Sequence, residues 1–456
     1  MNTPMQTAAA ALALPIIVAV ATAQRVPPAS QSNDAALLKT ARVIHDRIIA
    51  LDTHDDIDPR NFSWSLNYTQ DLDTQVNLPK MKKGGLDASF FVVYVGQGDL
   101  TPEGFDAAYA AAVEKFEAIH RLTKALAPGQ IELALTAGDV RRINAAGRKV
   151  ALIGIENGYA IGTDISRVKE FYDRGGRYLS LAHNGHNQLA DSHNGEATNT
   201  WLHNGLSPLG KQVVAEANRL GIMLDLSHPS KEANLQVLAL TKGPVIASHS
   251  AVRALCSHSR NMDDEQLEAL KKNGGVIQIV ALSDFIKQAP PATAERSEAL
   301  RRLNEEFGLP TTGRGGRSGG SSGGTGGSGR RRGRGAALNQ LSADKRVDYQ
   351  KRLAEVDATF PVPPRATVKD FVDHIDYAVK KIGIDHVGIS SDFDGGGGIE
   401  GWNDASESLN VTVELVRRGY TEPQIAQIWS GNLLRVMARV AEVAKDLQKS
   451  QPQASR

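Results

Sequence analysis

His54 and Asp56 stand two positions apart in ALDTHDDID, residues 50–58, at the end of a short apolar run. Alternate side chains of an extended strand share a face, so this pair can grip one metal ion from a strand end. A lone His-x-Asp says little, because solvent-facing loops also collect Asp. Similar apolar runs lead into Glu156, His183, His228, His249 and Asp392. Each of these alone is more often a satisfied polar residue or a solvated loop group; the argument is their shared position. Neutral imidazoles and carboxylates without thiolate suit zinc, with manganese or cobalt as substitutes. The set exceeds the three protein ligands and a water that one catalytic metal usually takes. Two metals sharing a carboxylate fit better, since a pair about 3.5–4 Å apart can hold a hydroxide and polarise a carbonyl. That is machinery for hydrolysis.

Something must bring these positions together. Eight β-rich runs mark the chain: IIALD, ASFFVVYV, VALIGIE, RYLSLAH, IMLDLSH, VIASHS, VIQIVAL and HVGISSDFD. Amphipathic helical stretches separate most of them, among them TPEGFDAAYAAAVEKFEAIHRLTKAL, SPLGKQVVAEANRLG, DDEQLEALKKNG and TVKDFVDHIDYAVKKIG. Near-continuous apolar strands alternating with helices predict a buried parallel sheet. Eight of them predict a closed (β/α)8 TIM-type barrel, whose functional residues collect at the C-terminal strand ends. An open doubly wound sheet is the alternative, but no G-x-G-x-x-G loop follows the first strand. The other histidines, His45, His120, His374 and His386 among them, fall on helices or strand starts and read as structural.

The bulk properties are those of a soluble globular protein: 23% charged, 41% hydrophobic and a net charge of +1 over 456 residues. That charge gives no pull toward nucleic acid or an acidic membrane. One cysteine, Cys256, excludes a disulfide framework and a thiolate metal cluster. Residues 1–23 read as a signal peptide, with an apolar run too short to span a bilayer comfortably and a small-x-small ending, ATA. The expectation is export to a periplasm or the outside, with no stable membrane insertion after cleavage. The segment lacks the usual Lys or Arg at its front, and an uncleaved anchor is the alternative. The remainder, 24–456, reads as one barrel domain with an insertion over 286–366. Within it, residues 313–335 read GRGGRSGGSSGGTGGSGRRRGRG, without an apolar side chain or an acid, which predicts a disordered, solvated loop between exposed charged helices.

DTHDD, GIENG, LAHNGHNQLADS, GLSPLGKQVVAEANRLGIMLDLSH, PVIASHSAVRALCSHSRN and VGISSDFDG closely resemble the membrane (renal-type) dipeptidase family of metallopeptidases. The resemblance runs from about residue 40 to 440, and GGGGIEGW and GNLLRVM resemble bacterial members. It implies a (β/α)8 barrel with two zinc ions. His54 and Asp56 would bind the first ion, Glu156 would bridge both, and His228 and His249 would complete the second. Asp392 would shuttle the proton of the attacking water. His183 would contact the substrate carbonyl oxygen as charge develops there, and Arg260, in SRN, would bind the substrate's free carboxylate. The family also implies a homodimer and broad specificity, with D-residues often tolerated on the C-terminal side and β-lactam hydrolysis in some members. Without the family, Arg260 reads as a surface salt bridge.

Nearby residues have plainer readings. Asp55 faces away from the ligands, His186 and His193 shape a loop, Asp191 and Ser192 pin it, Asp394 supports a ligand from behind, and Cys256 fills space. Two rivals stand beside the dipeptidase. One is a related amidohydrolase, an amidase or lactonase, which has less use for Arg260. The other is an exported binding protein that has lost its metals, against which the full ligand set argues.

Overall fold

The structure, a computed structural model, describes residue 1 and residues 29–288, 293–309, 341–360 and 364–450. Residues 2–23 of the expected signal segment and the Gly/Arg-rich stretch 313–335 lie outside these residues. Among the described residues no helix is long and apolar enough to cross a membrane.

Eight parallel strands form the expected barrel: β1 (Leu51–Asp56), β2 (Ala88–Tyr94), β4 (Lys149–Glu156), β5 (Gly176–Ser180), β6 (Met223–Asp225), β7 (Ile246–Ser250), β8 (Val276–Val280) and β9 (Val387–Ser390). They pair in that order. The ring is nearly closed where the Asp56 N–H donates to the Phe393 carbonyl at 2.9 Å, beside a parallel bridge between Asp55 and Phe393. A ninth strand, β3 (Ile131–Leu133), pairs only with β4, outside the ring. Its three residues are too short to show a period, and the sequence reading had no strand there.

Both strand faces are buried, which is why the strands read as continuous apolar runs. On β2, Phe90 belongs to one cluster with Leu51, Leu152, Tyr178, Met223 and Ile246. Its neighbour Phe91 belongs to a second, with Val93, Ile153, Leu179 and Ile277. The connecting helices start where capping residues predict. Ser207 accepts from the Gly210 N–H ahead of Pro208–Leu220, and Thr367 and Asp370 form a reciprocal capping box at Val368–Ile382. Gly221 and Gly274 end their helices at positive φ, +86° and +82°.

The helices Ala294–Glu306 and Ala343–Thr359 lie between β8 and the helix Val368–Ile382. They are not merely exposed and charged. They face each other across Leu303, Leu309 and Tyr349, all buried, and the Tyr349 hydroxyl donates to Asn304 Oδ1 at 2.9 Å. Charges ring this small core, as Arg296 pairs with Asp357 at 2.7 Å. At the base of the excursion the Ala366 N–H donates to Ser283 Oγ at 2.7 Å.

Candidate metal centre and active site

Strand β1 delivers His54 and Asp56, β4 ends on Glu156, and β7 carries His249. The other three positions differ from the strand-end expectation. His183, His228 and Asp392 lie past the ends of β5, β6 and β9, in loops. His228 and Asp392 have positive φ, 83° and 59°, a region that non-glycine residues seldom enter and that clusters at functional sites. Asp55 does turn away from its neighbours, accepting from the Ser89 and Ser391 hydroxyls. The backbone beneath is held by Asp52, whose Oδ1 accepts from the N–H groups of His54 (3.2 Å) and Ser391 (2.9 Å).

All seven side chains converge on one point, around Glu156. Its Oε2 lies 3.5 Å from His54 Nε2, and its Oε1 lies 2.9 Å from His228 Nε2 and 3.5 Å from both His249 Nε2 and His183 Nε2. His54 Nε2 also faces Asp392 Oδ1 at 3.9 Å and Asp56 Oδ2 at 4.0 Å. Ligands about 2.0–2.1 Å from a tetrahedral zinc lie about 3.3 Å from one another. His54 Nε2 makes no hydrogen bond, so these contacts have ligand spacing rather than hydrogen-bond spacing. Three groups of potential ligands result: His54, Asp56 and Glu156; Glu156, His228 and His249; and His54, His249 and Asp392.

Hydrogen bonds behind the histidines fix which nitrogen faces the centre. The Tyr178 hydroxyl donates to the Thr53 carbonyl, leaving its oxygen to accept His54 Nδ1–H at 2.9 Å. Ser248 Oγ donates to Asp225 Oδ2 at 2.6 Å and accepts His249 Nδ1–H at 2.8 Å. Asn184 Oδ1 accepts His228 Nδ1–H at 3.0 Å. Each ring therefore turns its Nε2 inward, the arrangement by which an outer hydrogen bond prepares a metal-binding histidine. His228 Nε2 and His249 Nε2 lie 2.8 Å apart. Two lone pairs at that distance, with a carboxylate oxygen beside them, require a cation or a proton between them. The residues fit a metal centre.

The electrostatics agree. Burial alone would raise the Glu156 carboxyl, but His54, His183 and His228 hold it well below the usual carboxylate range. Burial, with the Arg260 charge nearby, pushes His228 and His249 well below the ordinary imidazole value, which keeps them neutral. Burial also opposes charge on His54, yet Glu156, Asp392 and Asp56 outweigh it and raise that ring to about 9.

Arg260 is buried, not a surface salt bridge. Its Nη2 donates to the His249 carbonyl at 3.0 Å and its Nη1 to Ser250 Oγ at 3.4 Å, and its Nε has no hydrogen-bond partner. The guanidinium lies 5.3 Å from the Phe285 ring centre, and no carboxylate among the described residues forms an ion pair with it. Burial lowers it to about 10, so it stays cationic at neutral pH. The His183 ring sits between Tyr94, at 4.6 Å, and His228, at 4.0 Å.

Several contributors escape sequence reasoning. Tyr178, Asn184, Ser248 and Asp225 orient ligands, and only their places inside the quoted runs hint at it. A Cβ on Gly395 would fall 2.2 Å from Asp392 Oδ1 and 2.4 Å from Asp56 Oδ2, so glycine is needed for both carboxylates to turn inward. Asp394 has another task than backing a ligand: it accepts the Gln75 and Val76 N–H groups at 2.9 and 3.2 Å. Asp191 pins its loop through the N–H groups of Leu202 (2.7 Å) and Gly205 (2.8 Å). The plainer histidines have structural partners, as His45 bonds Thr412 Oγ1 and His374 accepts the Val252 N–H. Cys256 is buried, against the Asp284 carbonyl.

Known proteins resemble this chain in sequence and fold. The sequence profile of the membrane dipeptidase family, peptidase family M19, matches residues 38–451. Dipeptidase aclJ of Aspergillus oryzae is 30% identical over 401 residues, 86% of this chain and 77% of that protein. The crystal structure of the probable dipeptidase PvdM from Pseudomonas aeruginosa superposes with a TM-score of 0.71 at 31% identity, covering 90% of this chain and 100% of that one. A metallopeptidase of Rhodobacter sphaeroides, solved with a phosphinate mimic of the dipeptide L-Ala-D-Ala, shares the fold. It is 21% identical, with a TM-score of 0.61, covering 86% of this chain and 99% of that one. The chain belongs to the membrane dipeptidase family, peptidase family M19, and is a hydrolase of dipeptides.

Proposed function

We propose that the protein is a two-zinc dipeptidase that cleaves the single peptide bond of dipeptides bearing a free C-terminal carboxylate. His54 and Asp56 would hold one ion, His228 and His249 the other, and Glu156 would serve both, with manganese or cobalt as substitutes. Bound there, the metals supply Lewis-acid activation of water and of the peptide carbonyl. The chain's own residues do the rest. Asp392 takes the proton of the attacking water and passes it to the leaving amine. His183 donates to the carbonyl oxygen as negative charge builds on it. Arg260 forks onto the substrate carboxylate and fixes its distance from the scissile bond. A dipeptide then places its only peptide carbonyl over the metals, whereas an amidated dipeptide gives the fork no anion.

The observation that carries this reading is Arg260, a buried cation with an unpartnered Nε and no acidic partner among the described residues, one strand end from the metal ligands. Such a group calls for an anion from outside. Metal analysis of the purified protein and kcat/KM for free and amidated dipeptides, in wild type and Arg260→Leu, test it. Two metals per chain are expected. The variant should lose about 2–5 kcal/mol of transition-state binding on free dipeptides only. A wild type that turns over both substrates equally is a general amidohydrolase, and the reading fails. We also read residues 1–23 as an export signal and the working form as a homodimer, the first supported by the ATA ending and the second by family membership.

A further inference from the structure

The mechanism leaves His193 unused, although it is buried between the two working parts of the site. It lies in the short helical turn His193–Ala197 that follows Ser192, in the loop after β5. One ring nitrogen, Nε2, is 3.0 Å from Asn184 Oδ1, the same oxygen that receives His228 Nδ1–H. The other, Nδ1, is 2.8 Å from Ser259 Oγ, one residue before Arg260. Asn184 Oδ1 can only accept, so His193 Nε2 carries the proton and its Nδ1 accepts the Ser259 hydroxyl proton. The backbone anchors the same loop a second time, as the His193 N–H donates to the His228 carbonyl at 2.9 Å.

We propose that His193 is a positioning residue that ties the Arg260 segment to the metal ligand His228. Its Nε2 side holds Asn184, which in turn sets the His228 ring. Its Nδ1 side holds Ser259 and with it the approach of the guanidinium. Arg260 already touches the other histidine of that pair through the His249 carbonyl. The carboxylate reader and one half of the metal centre therefore move as one body. The inference rests on Arg260 reading the substrate carboxylate, and it assigns the distance between reader and metals to a residue that touches neither substrate nor metal.

The two nitrogens can be removed separately. In His193→Gln the side-chain amide nitrogen can replace Nε2–H while the Nδ1 acceptor is lost. In His193→Asn the amide oxygen can replace Nδ1 while the Nε2 donor is lost. Ser259→Ala cuts the Arg260 side alone with little risk to folding. Zinc affinity is read by chelator competition on metal-depleted protein, and KM on free dipeptides at full zinc loading. His193→Asn should lose about 10–100-fold in affinity for the zinc that His228 would hold, with KM near wild type. His193→Gln and Ser259→Ala should keep zinc affinity and raise KM about two- to tenfold, the worth of one hydrogen bond. Unchanged KM in Ser259→Ala, or zinc affinity falling and KM rising together in all three variants, overturns the proposal. The zinc measurement uses no substrate, so it tests the His193–Asn184–His228 link even if the wild type fails to prefer free over amidated dipeptides, which would instead refute the reading of Arg260.

Discussion

The two halves of the centre use the same side chains to opposite electrostatic ends. On the β1 side, His54 faces the carboxylates of Glu156, Asp392 and Asp56, which raise its proton affinity to about 9 against the pull of burial. On the β6–β7 side, His228 and His249 share only Glu156, and burial, with the Arg260 charge adding to it, drives both well below their ordinary value. One half holds surplus negative charge, the other nearly none. The first should therefore bind a dication more tightly and in competition with a proton, and the second more weakly and with little dependence on pH near neutrality. On the proposed reading, an incoming carboxylate would be drawn to the half where the Arg260 Nε has no hydrogen-bond partner.

Glu156→Gln is the largest perturbation, because that one carboxylate belongs to both halves. Removing its charge from among four histidines should cost about 3–5 kcal/mol in the centre and abolish metal retention on both sides. Metal content after dialysis checks this, with His54→Ala expected to empty mainly one side. If Glu156→Gln keeps one ion at wild-type affinity, Glu156 does not serve both. Gly395→Ala should perturb mainly the β1 half, since the atoms nearest the added methyl belong to Asp392 and Asp56. A cost of about 1–3 kcal/mol, typical of overpacking, should appear as lower kcat and weaker binding of the tighter ion. A fall in the affinity of the weaker ion instead would contradict the division into halves.

Much of this was legible before the structure. The ligands announce themselves only together, because metal-competent residues follow most of eight apolar runs that one barrel mouth must gather. Helix limits were legible at Ser207, Asp263 and Thr367, which cap the following N–H groups, and at Gly221 and Gly274, which close helices in the left-handed region. The ends of β5 and β6 were not. RYLSLAH reads as strand through His183, but Ser180 Oγ bonds the Ala182 and Ser227 carbonyls, and the chain leaves the sheet there. Nor does local sequence announce the positive φ of His228, which the surrounding contacts impose. The supporting layer was illegible for a simpler reason. His54 meets Tyr178 across 124 positions and His228 meets Asn184 across 44, and a single sequence records no such pairing.

The smallest effect belongs to the excursion between β8 and the helix Val368–Ile382. Its helices carry their own core at Leu303, Leu309 and Tyr349, apart from that of the barrel. Replacing 313–335 by a short flexible linker should leave kcat/KM and thermal stability nearly unchanged, because closure entropy shifts by only about 0.6 kcal/mol per doubling of loop length. A large loss of activity on that deletion would extend the active site beyond the two halves described.

Metal-free protein carries the contrast in its pH dependence. A His54 ring raised to about 9 contributes stability that is fully present below its ordinary value of 6.5 and is lost as pH rises through 9. The same proton must leave when a cation arrives. Calorimetric titration of metal-free protein with zinc at pH 7.5, repeated in two buffers of different ionisation enthalpy, reads both stoichiometry and protons. Two zinc ions per chain are expected, the tighter one releasing about one proton and the weaker one almost none. A single ion per chain, or two ions with equal affinity and equal proton release, would contradict a two-metal centre with unlike halves.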